Sequence, residues 1–206
     1  MKKSLLVLSA LILLVASQGT AKSRKQVSPP NSNAPSEDKT APSYDMKPQA
    51  LIDLQDLHKK MVQLATAIPA DKYTWRPEVG TRSVSEVLLH VTAANRNIMS
   101  MMTGMTPDSA YKADGFETST TDKAKIIDQL DKSFAYVEAA IQGMTNADFA
   151  RPEKKLGPDA NSGDVVYLLV VHNHEHFGQT IAYARMNGVT PPWTEEAQKK
   201  AKATSK

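Results

Sequence analysis

The stretch Val165–Asn187, VVYLLVVHNHEHFGQTIAYARMN, decides the fold. It has no proline, a single glycine and an almost unbroken apolar character, and its length suits one long buried helix. It also carries three of the chain's five histidines. His172 and His176 are four residues apart, so on a helix they stack on one face, one turn apart, where both imidazoles can reach a single metal ion. Gln179 and Tyr183 continue that face. His174 lies about 200° around the helix from His172 and cannot join the pair without breaking the helix. A third ligand has to come from another part of the chain.

The N-terminus reads as a processing signal. Lys2 and Lys3 precede a twelve-residue apolar core, Leu5 to Ala16, and a small-x-small site at Gly19-Thr20-Ala21. Residues 1–21 are therefore expected to be a signal peptide, and the protein to be exported to the periplasm or the extracellular space. The apolar core is shorter than the roughly 20 residues of a spanning helix, so no stable membrane insertion is expected after cleavage; an uncleaved anchor is the alternative. The chain has no cysteine, which excludes disulfides, thiolate ligands and a cysteine nucleophile. Without Lys2 and Lys3, 25 basic and 22 acidic residues leave 23 − 22 = +1. So small a net charge gives no reason to expect nucleic acid as a partner.

Residues 22–47 are rich in proline, serine, lysine and asparagine and have few apolar side chains, the composition of a disordered linker. Residues 48–193 are the size of one domain, and 194–206 form a basic tail, read as a solvated end. Within the domain, Leu51, Leu54, Leu57, Met61, Leu64 and Ile68 mark a first amphipathic helix that ends before Pro69. Tyr73 and Trp75 are aromatic anchors in the following connector. Ser83-Val84-Ser85-Glu86 is a capping box for a second helix, reaching about Met102, with Val84, Val87, Val91, Ala94 and Ile98 as its apolar stripe. A long polar connection over Gly104 to Thr120 leads to a third helix from about Asp122 to Gln142, with Gly143 as its end signal. Asn161 or Ser162 caps the fourth helix, which stops at Gly188 before Pro191-Pro192. No alternating apolar run appears. The fold is read as all-α, a four-helix bundle.

His90 lies beside the stripe of the second helix near its midpoint. Taken alone it would be a hydrogen-bonded core histidine; with His172 and His176 it is the obvious third ligand. Three imidazoles with no protein anion are the ligand set of a catalytic zinc-type site, which leaves one position open and can activate water or polarise a substrate oxygen. Imidazole also suits nickel, copper and iron; a divalent ion, zinc or nickel first, is the expected cofactor. His58, at the edge of the first stripe, reads as a boundary residue. Glu86 is a candidate to support His90, against its simpler role in the capping box, and Glu175 is either a supporting group or a rim residue. Gln179, Tyr183 and Arg185 are candidates for shaping the pocket.

Tyr73-x-Trp75-Arg76-Pro77, Glu86-x-x-x-His90, His172-x-x-x-His176-x-Gly178-Gln179, Tyr183-x-Arg185-x-x-Gly188 and Pro191-Pro192, in this order and spacing, resemble the DinB-like (DinB/YfiT) superfamily over about Gln49 to Trp193. The resemblance implies an up-down-down-up bundle and a divalent metal held by His90, His172 and His176. Phe177 fits the aromatic form of the position before the Gly-Gln pair; His174 matches no ligand of the family. Characterised relatives include thiol-dependent transferases and isomerases, whose cytoplasmic cosubstrates sit poorly with an exported chain. The leading reading is a metal-dependent hydrolase or transferase acting on a small molecule. A non-catalytic extracytoplasmic binder of a metal or ligand is second, and an inert bundle third. A homodimer is an open option for assembly.

Overall fold

The computed structural model describes residues 45–102, 105 and 115–204. The segment expected to be a signal peptide and most of the expected linker lie outside the described residues. Six helices follow in order: α1 Met46–Ala67, α2 Val84–Met99, α3 Lys123–Gly143, α4 Asn146–Phe149, α5 Ser162–Met186 and α6 Pro192–Thr204. Among the described residues there is no strand, only an isolated bridge between Pro152 and Asn161.

Local chemistry sets the helix ends. Asp45 caps α1 by accepting from the Lys47 amide, so Met46 and Lys47, assigned above to the linker, form its first turn. The helix stops where Ile68 turns extended ahead of Pro69, whose ring disfavours helical backbone in the residue before it. The Ser83–Glu86 capping box opens α2 as expected, and α2 ends at Met99 rather than at Met102. Gly143 is the last helical residue of α3 rather than a stop beyond it. Asn161 caps α5, with Asp164 completing the box, and Gly188 leaves the helix in the left-handed region at φ 75°. The tail read as a solvated end is exposed but helical, with Trp193 at its start packed on Phe177, centroids 5.4 Å apart.

Hydrogen bonds fix the helix directions. Lys47 Nζ donates to the carbonyls of Gln142 and Met144 at the end of α3, while Lys123 Nζ donates to those of Thr66 and Ile68 at the end of α1. Helices α1 and α3 are therefore antiparallel, and each supplies a lysine to the other's negative end. Asn173 donates to Asn95, and Tyr183 to the Arg82 carbonyl, so α5 runs antiparallel to α2. Asn95 reaches Ser133, and Met102 shares a cavity with Ala139 and Gly143 further along, so α2 and α3 are parallel. The order is up-down-down-up, and the long 100–122 connection is what a parallel α2–α3 step requires.

The apolar stripes of α1, α2 and α3 face the core, with Leu54, Leu57, Met61, Leu64, Val87, Val91, Leu130 and Phe134 among its buried members, and α5 adds Leu169. Tyr73 is buried too, its hydroxyl donating to the Ala65 carbonyl at 2.8 Å. His58 is no ligand. It stacks on Phe134 with its two nitrogens at Glu138 (2.8 Å) and Asp131 (3.0 Å), tying α1 to α3. One polar layer crosses the core: Asn173 donates to Asn95, Asn95 to Ser133, and Ser133 to the Leu130 carbonyl, all three side chains buried. Helix α5 is not buried all round, as its composition suggested: Tyr167, Val171 and His174 lie on an exposed outer face.

Candidate metal centre

The antiparallel pairing of α2 and α5 brings His90 opposite the His172–His176 turn. The nitrogens that these three rings offer lie within 4.8 Å of one another. Ring centroids are 5.1 Å apart for His90–His172, 4.6 Å for His90–His176 and 4.5 Å for His172–His176. His176 is buried, and His90 and His172 are half-buried. His174, exposed on the opposite side of α5, is not among them, as the 200° offset requires.

Each ring is held differently at its second nitrogen. The Nδ1 of His90 meets Glu117 Oε1 at 2.6 Å, a short contact typical of hydrogen bonds to a charged acceptor. Glu117 comes from the 3₁₀ turn Phe116–Thr118 within the long polar connection, and Arg82 pins it with Nε to Oε2 at 2.7 Å. The Nδ1 of His176 meets Gln179 Oε1 at 2.8 Å; Gln179 in turn donates to the Tyr183 hydroxyl, and that hydroxyl to the Arg82 carbonyl. Arg82 therefore closes both chains of support, one through its guanidinium and one through its backbone. Trp75 packs edge-on against Tyr183, centroids 5.3 Å apart. The Nδ1 of His172 is buried without a hydrogen-bond partner among the described residues.

Of the residues singled out in the sequence, Gln179 and Tyr183 thus belong to the site. Arg185 is exposed at the end of α5, with no hydrogen bond to the cluster among the described residues. Glu175 is exposed beside His174. Glu86 keeps to the capping box and to Arg76, 2.8 Å away. The carboxylate that supports His90 is Glu117, which the sequence did not single out because an irregular loop carries no periodicity from which to orient a side chain.

The electrostatics favour neutral rings at His90 and His172. Burial, reinforced by His176, His90 and Arg82, pushes His172 down to about 4. His90 is also lowered, burial outweighing the pull of Glu117. Glu117 resists its own burial because the hydrogen bonds from Arg82 and His90 hold its carboxyl below the usual range.

The donor set fits a divalent ion. With the Nδ1 proton of His90 directed at Glu117, its Nε2 carries a lone pair, and it lies 3.1 Å from the Nε2 of His172. Two nitrogens about 2.0–2.1 Å from a tetrahedral ion stand about 3.3 Å apart, close to that spacing. Gln179 likewise frees the Nε2 of His176, and neutral rings are the form that ligates.

Solved structures share this fold. A DinB-like protein from Bacillus cereus ATCC 10987 aligns with a TM-score of 0.60 at 18% identity, over 69% of this chain and 93% of its own. YfiT from Bacillus subtilis, a probable metal-dependent hydrolase with an unusual four-helix bundle topology, aligns with a TM-score of 0.54 at 14% identity, over 74% of this chain and 93% of its own. No curated protein matches the chain. The family model of the DinB superfamily matches residues 53–180, more than half of the sequence, and the chain belongs to that superfamily.

Proposed function

We propose that the protein is an exported divalent-metal-dependent enzyme, a hydrolase or transferase that acts on a small molecule. The observation that carries this reading is the convergence of His90, His172 and His176 with no carboxylate among them. Three nitrogen donors leave one position of a four-coordinate ion to a small molecule. A bound divalent ion supplies Lewis acidity towards an oxygen placed there. The chain's own residues prepare the position: Glu117 accepts a hydrogen bond from Nδ1 of His90, Gln179 accepts one from Nδ1 of His176, and Tyr183 with Arg82 restrains both acceptors. The fold shared with YfiT supports metal-dependent hydrolysis as the first reaction class to assay.

The test is metal titration of protein purified without a histidine tag. Wild type should bind one divalent ion, while His90→Ala, His172→Ala and His176→Ala each lose more than about 100-fold in affinity and His174→Ala stays within about twofold. In the cobalt form, added azide should change the visible spectrum, as an exchangeable position requires. A wild type that binds no ion sinks the proposal. A spectrum indifferent to azide indicates a closed binder instead. Export is tested by intact mass: protein from outside the cytoplasm that retains residues 1–21 would show an anchor.

A further inference from the structure

The outer face of α5 is left uncovered by the bundle among the described residues. Between Asp164 and Arg185 the exposed residues are Asp164, Tyr167, Val171, His174, Glu175, Gly178, Ala182 and Arg185. They are placed symmetrically about the peptide bond between His174 and Glu175. Val171 and Gly178 lie three residues out on either side, Tyr167 and Ala182 seven, Asp164 and Arg185 ten. Offsets of three, seven and ten keep to one helical face, the spacing of a coiled-coil seam.

Each symmetric pair is complementary in size or charge. Tyr167 and Val171, 63% and 43% exposed, are the large members; Ala182 and Gly178 opposite them are small. Asp164 and Arg185 are of opposite sign. A Cβ built on Gly178 meets nothing within 4 Å, so no neighbour among the described residues requires a glycine at mid-helix, where it weakens the helix. Against a facing helix, such a notch would receive a side chain and let the two backbones approach.

We propose that this face is the interface of a homodimer in which α5 packs antiparallel against α5 of a second copy about a two-fold axis at His174–Glu175. The two-fold places Val171 in the Gly178 notch, Tyr167 over Ala182 and Asp164 against Arg185, each contact made twice. His174, which takes no part in the metal cluster, lies on the axis beside Glu175 of the other copy. Eight residues a side is small against the roughly 20–30 of a standard interface, so the affinity expected is of micromolar order. The proposal is independent of the metal.

Sedimentation velocity over about 1 to about 200 μM should show the mass doubling, and Val171→Glu should abolish it. Asp164→Arg and Arg185→Asp should each weaken association about tenfold, since each sets two pairs of like charges face to face. The double variant should recover wild-type affinity. Because the chain has no cysteine, His174→Cys gives a clean cross-linking probe: it should form a covalent dimer under diamide, whereas Tyr167→Cys, distant from its symmetry mate, should not. A wild type monomeric at the highest concentration overturns the proposal. So does a double reversal that fails to recover, or a Tyr167→Cys protein that cross-links as readily as His174→Cys.

Discussion

Glu117→Gln tests whether the centre depends on the loop carboxylate rather than on its ligands alone. The substitution keeps an oxygen that can accept from His90 Nδ1 but removes the charge behind the 2.6 Å contact. Carboxylates that hold metal-bound histidines contribute about 10- to 100-fold to metal affinity, which is about 1.4–2.8 kcal/mol. The Arg82–Glu117 pair adds little directly, because its side chains are 41% and 31% exposed and solvent screens it. Arg82→Ala should therefore lose less than Glu117→Gln, about two- to fivefold. Glu86→Gln is the control: it removes the charge facing Arg76 but keeps an oxygen for the capping box, and should change stability by less than about 1 kcal/mol and leave metal affinity unchanged. Competition against a chromogenic chelator reads affinity, and urea denaturation of the same samples reads stability. Affinity of Glu117→Gln within twofold of wild type would refute the reasoning, as would an equal loss in Glu86→Gln.

Asn95→Ala should cost about 1–3 kcal/mol in urea denaturation, because it takes one hydrogen-bond partner from each of the buried side chains of Asn173 and Ser133, which keep only the Leu169 and Leu130 carbonyls. Asn95→Ala/Asn173→Ala should then cost less than the sum of the single variants, and strict additivity would show that the layer is not coupled. In chelator, stability should fall with acid. His172 is ordinary in the unfolded chain, near 6.5, and about 4 when folded, so folding favours its neutral form. Its stabilisation is complete above about pH 6.5 and is lost as pH falls towards about 4, by up to about 3 kcal/mol before allowance for partial exposure. If His172→Asn shows the same pH slope as wild type, this ring is not responsible.

What could be read from the sequence divides along periodicity. Leu54 to Ile68, Val84 to Ile98 and Ile126 to Ile141 repeat every three or four residues, and all three stripes are buried. His172 and His176 obey the same rule, so their shared face followed from spacing, and His90 followed from its place beside a stripe. Glu117 had no such handle: its position depends on how an irregular connection returns to α2, which is a tertiary fact. Arg82 was hidden for the same reason, since its carbonyl is claimed by Tyr183, 101 residues away. The tail failed differently. Its helix has no fully buried residue and only Trp193 packed on the bundle, so no apolar stripe announced it.

The segment His172-Asn173-His174-Glu175-His176 looks like one histidine cluster but is divided by helical geometry among three environments. At about 100° per residue, His172 and His176 return to the face that looks at His90, Asn173 turns into the core, and His174 with Glu175 turns outward. Asn173 meets Asn95 at 2.8 Å in the layer crossing α2 and α3, about one and a half helical turns beyond His90 on α2. The packing that orders this polar layer therefore also fixes the rotation of α5 that aims both ligand rings. A rotation of one residue would swing His172 out of the cluster and carry Asn173 away from Asn95 together. The two errors cannot be made separately, which is how a bundle of otherwise interchangeable apolar contacts selects a single register. The consequence is measurable. Asn173→Leu, which keeps the bulk but removes the hydrogen bonds, should lower metal affinity as well as stability although it removes no ligand, whereas His174→Ala should change neither. An Asn173→Leu protein that binds metal as tightly as wild type would separate the polar layer from the site and leave the register to apolar packing alone.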